Sequence, residues 1–152
     1  AIAACLKGCK TLTGWDISNE SLLQTQNAIK KLDIKTPTTL QQRDICELDE
    51  SAQKFEIVVA SQVLEIVEDL DKALFSLHET LYESSRLFIN APIRAYAPDH
   101  VRTWNSAQDL IDRVEAVGLE VIEARNFGFK SAAISYGEPF SLFLTARRAE
   151  IN

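Results

Sequence analysis

Apolar positions in this chain recur at two alternating spacings, one of strands and one of helices. Residues 10–16 (KTLTGWD) read as a short strand ending on an acid, after a helix tail over residues 1–9 that Gly8 closes. A helix starts next at Ser18 or Asn19, with Glu20 complementing its positive end. Leu22, Leu23, Gln26, Ile29 and Leu32 share one face at helical spacing, a face expected to pack on a sheet. Residues 38–45 (TTLQQRDI) are β-branched enough for a second strand. The nearly continuous apolar run over residues 55–61 (FEIVVAS) predicts a central parallel strand buried on both faces. Residues 69–82 (DLDKALFSLHETLY) predict a helix, acidic in its first turn, with Leu70, Ala73, Leu74, Leu77 and Leu81 on one stripe. A strand over residues 86–91 (RLFINA) follows. Asn105 or Ser106 caps a last helix running through Val117, and Gly118 takes the left-handed position after it. Residues 119–123 and 141–147 (SLFLTAR) add two more strands. Strands alternating with helices predict an α/β fold, its mainly parallel sheet covered on both faces.

Bulk composition narrows the setting. A chain of 152 residues, 46% hydrophobic, suits one soluble globular domain spanning residues 1–152. Its net charge of -6 argues against nucleic acid, which draws its affinity from clustered Lys and Arg, and favours a small or neutral substrate. No apolar run approaches the roughly 20 residues that cross a bilayer, and the amino end lacks signal-peptide order, so no membrane partner is expected. Three cysteines, an odd number, point to a reducing compartment and a cytoplasmic protein. Cys5 and Cys9 share a helix face at i, i+4. With no His or further Cys nearby they read as small buried thiols, and no metal is expected.

In an open α/β sheet, ligands bind beyond the carboxyl ends of the strands. Asp16 ends the first predicted strand, where a carboxylate can accept two hydrogen bonds from a ribose diol or simply open a turn. Asp44 stands at the end of the next, placed for the exocyclic amine of adenine with Ile45 against the ring, or as a loop acid. Residues 60–65 (ASQVLE) begin small enough for a ligand to approach the backbone. Glu65, Glu68, Asp69 and Asp71 form an acidic group that a helix amino end explains better than a metal does.

Together, residues 10–18 (KTLTGWDIS), 43–45 (RDI) and 55–65 (FEIVVASQVLE) resemble the second, third and fourth strand ends of class I S-adenosylmethionine-dependent methyltransferases of the small-molecule type. Residues 98–104 (PDHVRTW) and 116–122 (AVGLEVI) resemble the segment after the fifth strand. The resemblance covers residues 1 to about 147. It implies a Rossmann-like three-layer sandwich with an antiparallel carboxy-terminal strand, and S-adenosyl-L-methionine as cofactor. It further implies that Asp16 holds the ribose hydroxyls, Ile17 flanks the adenine, Asp44 and Ile45 bind the adenine edge and face, and Ser61 and Gln62 line the methionine end. The family's first strand and glycine-rich loop are not in this sequence, and the amino-terminal part of the domain is expected upstream. Ile66 stands where the family often has a histidine.

Methyl transfer is an in-line displacement, and a hydroxyl acceptor needs a base. The sequence has two histidines. His78 falls in the middle of a predicted helix, where a structural or solvated role is expected. His100 falls in the loop after the fifth strand beside Asp99, and is the candidate base. Arg94, Tyr96, Arg102 and Trp104 are candidates for holding the acceptor, the arginines through their planar forks. Alternatively, Asp99, His100 and Arg102 tie the loop down. The leading expectation is a methyltransferase acting on a small-molecule methyl acceptor, as a homodimer or fused to further domains. The second is a non-catalytic domain of the same fold within a larger protein. The third is an NAD-dependent oxidoreductase, which would also use Asp16 but would need a Tyr-x-x-x-Lys pair; Tyr82 is followed at that spacing by Arg86.

Overall fold

The computed structural model describes residues 8–47, 53–127 and 140–150. The chain divides into two compact units, Ala1–Glu47 and Leu48–Asn152.

In the first unit, β1 (Leu12–Asp16) and β2 (Thr38–Gln42) pair in parallel with Asp16 opposite Gln42, and α1 (Asn19–Lys31) connects them. The helix starts where its cap dictates. The Ser18 side chain accepts the Ser21 N–H at 3.2 Å, satisfying one of the unpaired donors at the helix start. A Cβ at Gly14 would lie 2.9 Å from Leu40 Cδ2, so a larger residue there would require the Leu40 side chain to shift. Of the five residues on the expected helix face, Leu22 is buried whereas Leu23 and Leu32 are exposed. Leu23 is turned about 100° from Leu22, and Leu32 is the C-cap rather than a helical residue. The second strand also stops short of residue 45. The Asp44 carboxylate accepts the Cys46 N–H at 2.8 Å and opens a 3-10 turn, Ile45–Glu47, a local bond that competes with the strand ladder. The predicted helix tail over residues 1–7, with Cys5, lies outside the described residues. Gly8 has the left-handed φ of +87° that a helix-closing glycine adopts.

The second unit holds β3 (Phe55–Ser61), β4 (Leu81–Ile93), β5 (Leu119–Phe127) and β6 (Phe140–Arg148) in the order β3-β4-β6-β5. Strands β3 and β4 are parallel, and β6 is antiparallel to both its neighbours. That is the antiparallel carboxy-terminal strand in an otherwise parallel arrangement. Helices α2 (Leu70–Glu79) and α3 (Ala107–Glu115) supply Leu74, Leu77 and Leu110 to a core shared with Leu87, Ile89 and Leu144. Each such side chain contributes about 1.5–3 kcal/mol by leaving water.

Two expectations change here. The run at residues 55–61 is a strand, but Ile57 and Val59 are 64% and 63% exposed while Ala60 is buried. An unbroken apolar run cannot reveal which face is covered. The helix expected to reach residue 82 ends at Glu79, and β4 begins at Leu81. The Thr80 hydroxyl bonds the Leu77 carbonyl at 2.7 Å, closing the helix, and Leu81 pairs with Phe55 rather than continuing the helical stripe.

Ser106 caps α3 in a capping box. Its hydroxyl accepts the Asp109 N–H at 3.2 Å, and the Asp109 carboxylate accepts the Ser106 N–H at 3.1 Å. The Ser106 hydroxyl, first among its partners, holds the Asp109 carboxyl below the usual range. Ser106→Ala is expected to cost about 1 kcal/mol, read as a fall of roughly 2–4 °C in Tm by calorimetry. Gly118 follows α3 at φ +82°, the left-handed position expected of it. Among the described residues no helix is long and apolar enough to cross a membrane.

Candidate functional site

The candidate residues collect at the carboxyl ends of parallel strands. In the first unit Asp16 is the last residue of β1, and the Arg43 N–H donates to its carbonyl at 3.0 Å, which brings the end of β2 alongside. The Asp16 Oδ1 accepts the Ser18 N–H at 2.8 Å, the bond that turns the chain out of β1 into α1. Ile17, 65% exposed, projects beside Asp16, with its carbonyl bonded to Gln42 Nε2 at 3.0 Å. Asp44 spends one carboxylate oxygen on the Cys46 N–H, as Asp16 does on Ser18, and Ile45 is half-buried next to it. Thus Asp16, Ile17, Asp44 and Ile45 come together at one edge of this unit. Arg43, which the sequence reading did not single out, lies over the Trp15 ring at 5.0 Å in a cation–π contact.

In the second unit Ser61 ends β3 and Gln62 adopts φ +57°, a left-handed conformation that costs a non-glycine residue about 1–2 kcal/mol. Asn90 of β4 compensates. Its carbonyl accepts the Gln62 N–H at 2.9 Å, and its side-chain oxygen takes Gln62 Nε2 at 3.0 Å and Ser61 Oγ at 3.4 Å. Arg94, directly after β4, is also left-handed, at φ +55°. Two adjacent parallel strands therefore end in strained residues, the kind of backbone that clusters at binding sites. Asn90 escaped the sequence reading because it lies inside an apolar strand, where a polar residue gives no periodic signal.

The loop after β4 is tied down tightly. The Arg102 guanidinium donates to the carbonyls of Leu64, Val67 and Glu68 at 2.6, 2.5 and 2.9 Å, so its fork is directed at the turn after β3. Arg94 Nε donates to the Asn105 carbonyl at 2.8 Å. Trp104 is buried, bridged through its backbone to Ile93, whereas Tyr96 is 79% exposed. His100 is half-buried, with Nδ1 enclosed. His78 lies in the last turn of α2 instead of mid-helix. There its ring meets Glu79 at 2.8 Å and Arg148 at 3.1 Å, a structural cluster. Among the described residues no group of three His, Cys, Asp or Glu side chains is placed to hold a metal ion.

A family model described as "Methyltransferase domain" matches residues 2–128. This chain belongs to that family. No curated protein sequence matches this chain. Among solved structures it is similar to the [4+2]-cyclase SpnF, with a TM-score of 0.80 and 14% identity, over 97% of this chain and 69% of that one. The N-methyltransferase NodS from Bradyrhizobium japonicum WM9, in complex with S-adenosyl-L-homocysteine, gives a TM-score of 0.71 and 20% identity, over 93% of this chain and 68% of that one. Magnesium protoporphyrin IX methyltransferase from Synechocystis PCC 6803, with bound S-adenosylmethionine, gives 0.69 and 20%, over 98% and 64%. These likenesses show the fold: a Rossmann-like α/β arrangement with a mixed sheet, as the sequence resemblance implied.

Proposed function

We propose that this methyltransferase domain moves a methyl group from S-adenosylmethionine to a small-molecule acceptor. The carrying observation is a pair of acids, one at the end of β1 and one two residues past the end of the parallel strand β2. Asp16 and Asp44 each commit one oxygen to a backbone N–H two residues on, at 2.8 Å in both cases, so each carboxylate is preoriented with its other oxygen available. This donor set fits an adenosyl ligand: Asp16 for the ribose diol, Asp44 for the adenine amine, Ile17 and Ile45 for the faces of the base. In the second unit, Asn90 steadies Ser61 and Gln62, the residues that the family resemblance assigns to the methionine end. The family match runs across both compact units, which supports reading residues 1–152 as one domain. The odd cysteine count supports a cytosolic setting.

When bound, S-adenosylmethionine supplies a methyl carbon on a positively charged sulfur, open to in-line attack. The residues of this chain then have two tasks. Asp16 and Asp44 hold the adenosyl part still, turning a two-body encounter into a positioned one. His100 takes the proton that a hydroxyl or amine acceptor loses, while the exposed Tyr96 flanks the acceptor and the buried Trp104 anchors the loop. Arg94 and Arg102 hold the loop through carbonyl bonds, and their part in acceptor binding is through that loop.

A second reading is a non-catalytic domain of the same fold within a larger protein, since a fold by itself does not fix an activity. In that reading the domain has no methyl-transfer activity. Calorimetric titration of the protein with S-adenosylhomocysteine, with NADH as control ligand, separates these readings. Binding of the adenosyl ligand and not of NADH is expected. Binding of neither would sink the proposal in favour of a non-catalytic domain, and binding of NADH alone would point to the oxidoreductase.

A further inference from the structure

A chain of hydrogen bonds crosses the second unit from β6 through β4 to the end of β3. Asn90 of β4 stands opposite Ser61 of β3 on one side and opposite Phe143 of β6 on the other. Its Nδ2 donates to the Leu142 carbonyl at 3.3 Å. Its Oδ1 accepts from Gln62 Nε2 at 3.0 Å and, more weakly, from Ser61 Oγ at 3.4 Å. The Asn90 carbonyl also accepts the Gln62 N–H at 2.9 Å, so one residue holds both the backbone and the side chain of Gln62.

Donor and acceptor rules fix which way each amide turns. A backbone carbonyl can only accept, so Asn90 has to turn its NH2 toward Leu142 and its oxygen toward Gln62. That oxygen can only accept as well, so Gln62 has to turn its own NH2 toward Asn90. Gln62 Oε1 is thereby the atom on the branch away from Asn90, and it makes no hydrogen bond among the described residues. Gln62 is exposed, and its left-handed backbone at φ +57° is one that glutamine adopts only at a cost. An unrestrained glutamine side chain offers its donor or its acceptor equally well. Here the bonds running from β6 leave the acceptor outermost.

We propose that Asn90 is a positioning residue that turns the Gln62 amide so that its oxygen receives a hydrogen-bond donor of the ligand, the ammonium of the methionine end and not its carboxylate. This rests on the proposed function, in which Ser61 and Gln62 meet the methionine part of an adenosyl ligand. A carboxylate has no proton to give and would meet another acceptor in Gln62 Oε1. An ammonium has three protons to donate. The site therefore selects adenosyl ligands that carry a free amino group.

Two measurements test this. In 15N-edited NMR of the ligand-free protein, one Gln62 side-chain amide proton is expected to be shifted and slowed in exchange relative to free glutamine, and to lose both properties in Asn90→Leu. Identical Gln62 signals in the wild type and in folded Asn90→Leu would overturn the positioning role, whatever the protein binds. Calorimetry with S-adenosylhomocysteine, its deaminated analogue and its decarboxylated analogue then reads which group meets Gln62. Gln62→Met, which keeps the side-chain length, and Asn90→Leu are each expected to weaken S-adenosylhomocysteine and the decarboxylated analogue about tenfold, the scale of one hydrogen bond to a charged group. The deaminated analogue is expected to bind all three proteins equally. An equal loss on the deaminated analogue, a loss confined to it, or no loss on any ligand overturns the ammonium assignment. Should Asn90→Leu not fold, the wild-type amide signals and Gln62→Met decide. A wild-type protein that fails to bind S-adenosylhomocysteine refutes the proposed function and the ammonium assignment with it, whereas the NMR result decides the role of Asn90 independently.

Discussion

Replacing Asp16 by Ala is expected to weaken S-adenosylhomocysteine binding by about 1.5–3 kcal/mol, the scale of a hydrogen bond to a charged group. That is roughly a ten- to hundredfold rise in Kd by calorimetry. The carboxylate does two separable things. Its Oδ1 accepts the Ser18 N–H at 2.8 Å and shapes the exit from β1, and in the proposed function its other oxygen takes the ribose hydroxyls. Asp16→Asn separates them, since an amide oxygen can still accept from Ser18 while the charge is gone. Asp16→Asn is expected to fold with an unchanged Tm and to lose most of the affinity that Asp16→Ala loses. A folded Asp16→Ala protein with wild-type affinity would reject the assignment of Asp16 to the ribose.

His100→Ala is expected to cut turnover by about a hundredfold or more while leaving S-adenosylhomocysteine affinity within error, the behaviour of a lost general base. The loop that carries His100 is fastened by groups other than its ring. The Arg102 side chain, the backbone of Val101 and the bridge between Ile93 and Trp104 hold it. Removing the imidazole should therefore leave the loop in place. A fall in Tm with turnover preserved would assign His100 to the loop's structure instead. Unchanged turnover and unchanged Tm would leave the base to another group.

Much of this site was legible because short-range rules write it into the chain. Ser18, Ser106 and Gly118 mark helix ends by chemistry confined to three or four residues, and each stands in the expected role. Asp16 ends β1 as expected, whereas Asp44 lies two residues past the end of β2 at Gln42. The ends that were misread have one cause. At Thr80 and at Asp44 a side chain or a tertiary pairing captured a backbone group, and periodicity carries no record of such captures.

By itself, the sequence determined the alternation of strands and helices and the helix caps, and its resemblance to a methyltransferase family agrees with the family match over residues 2–128. These depend on neighbours a few residues apart and on residue type. Tertiary structure alone decided that β6 lies between β4 and β5, that Asn90 steadies Ser61 and Gln62 from 28 or 29 residues away, and that Arg102 spends its fork on the turn after β3. It also decided that Glu65, one of four acids that read alike along the chain, is the one enclosed beside the His100 loop. Burial and hydrogen bonding of a side chain depend on what the folded chain brings next to it, and that is set by contacts between segments far apart in sequence.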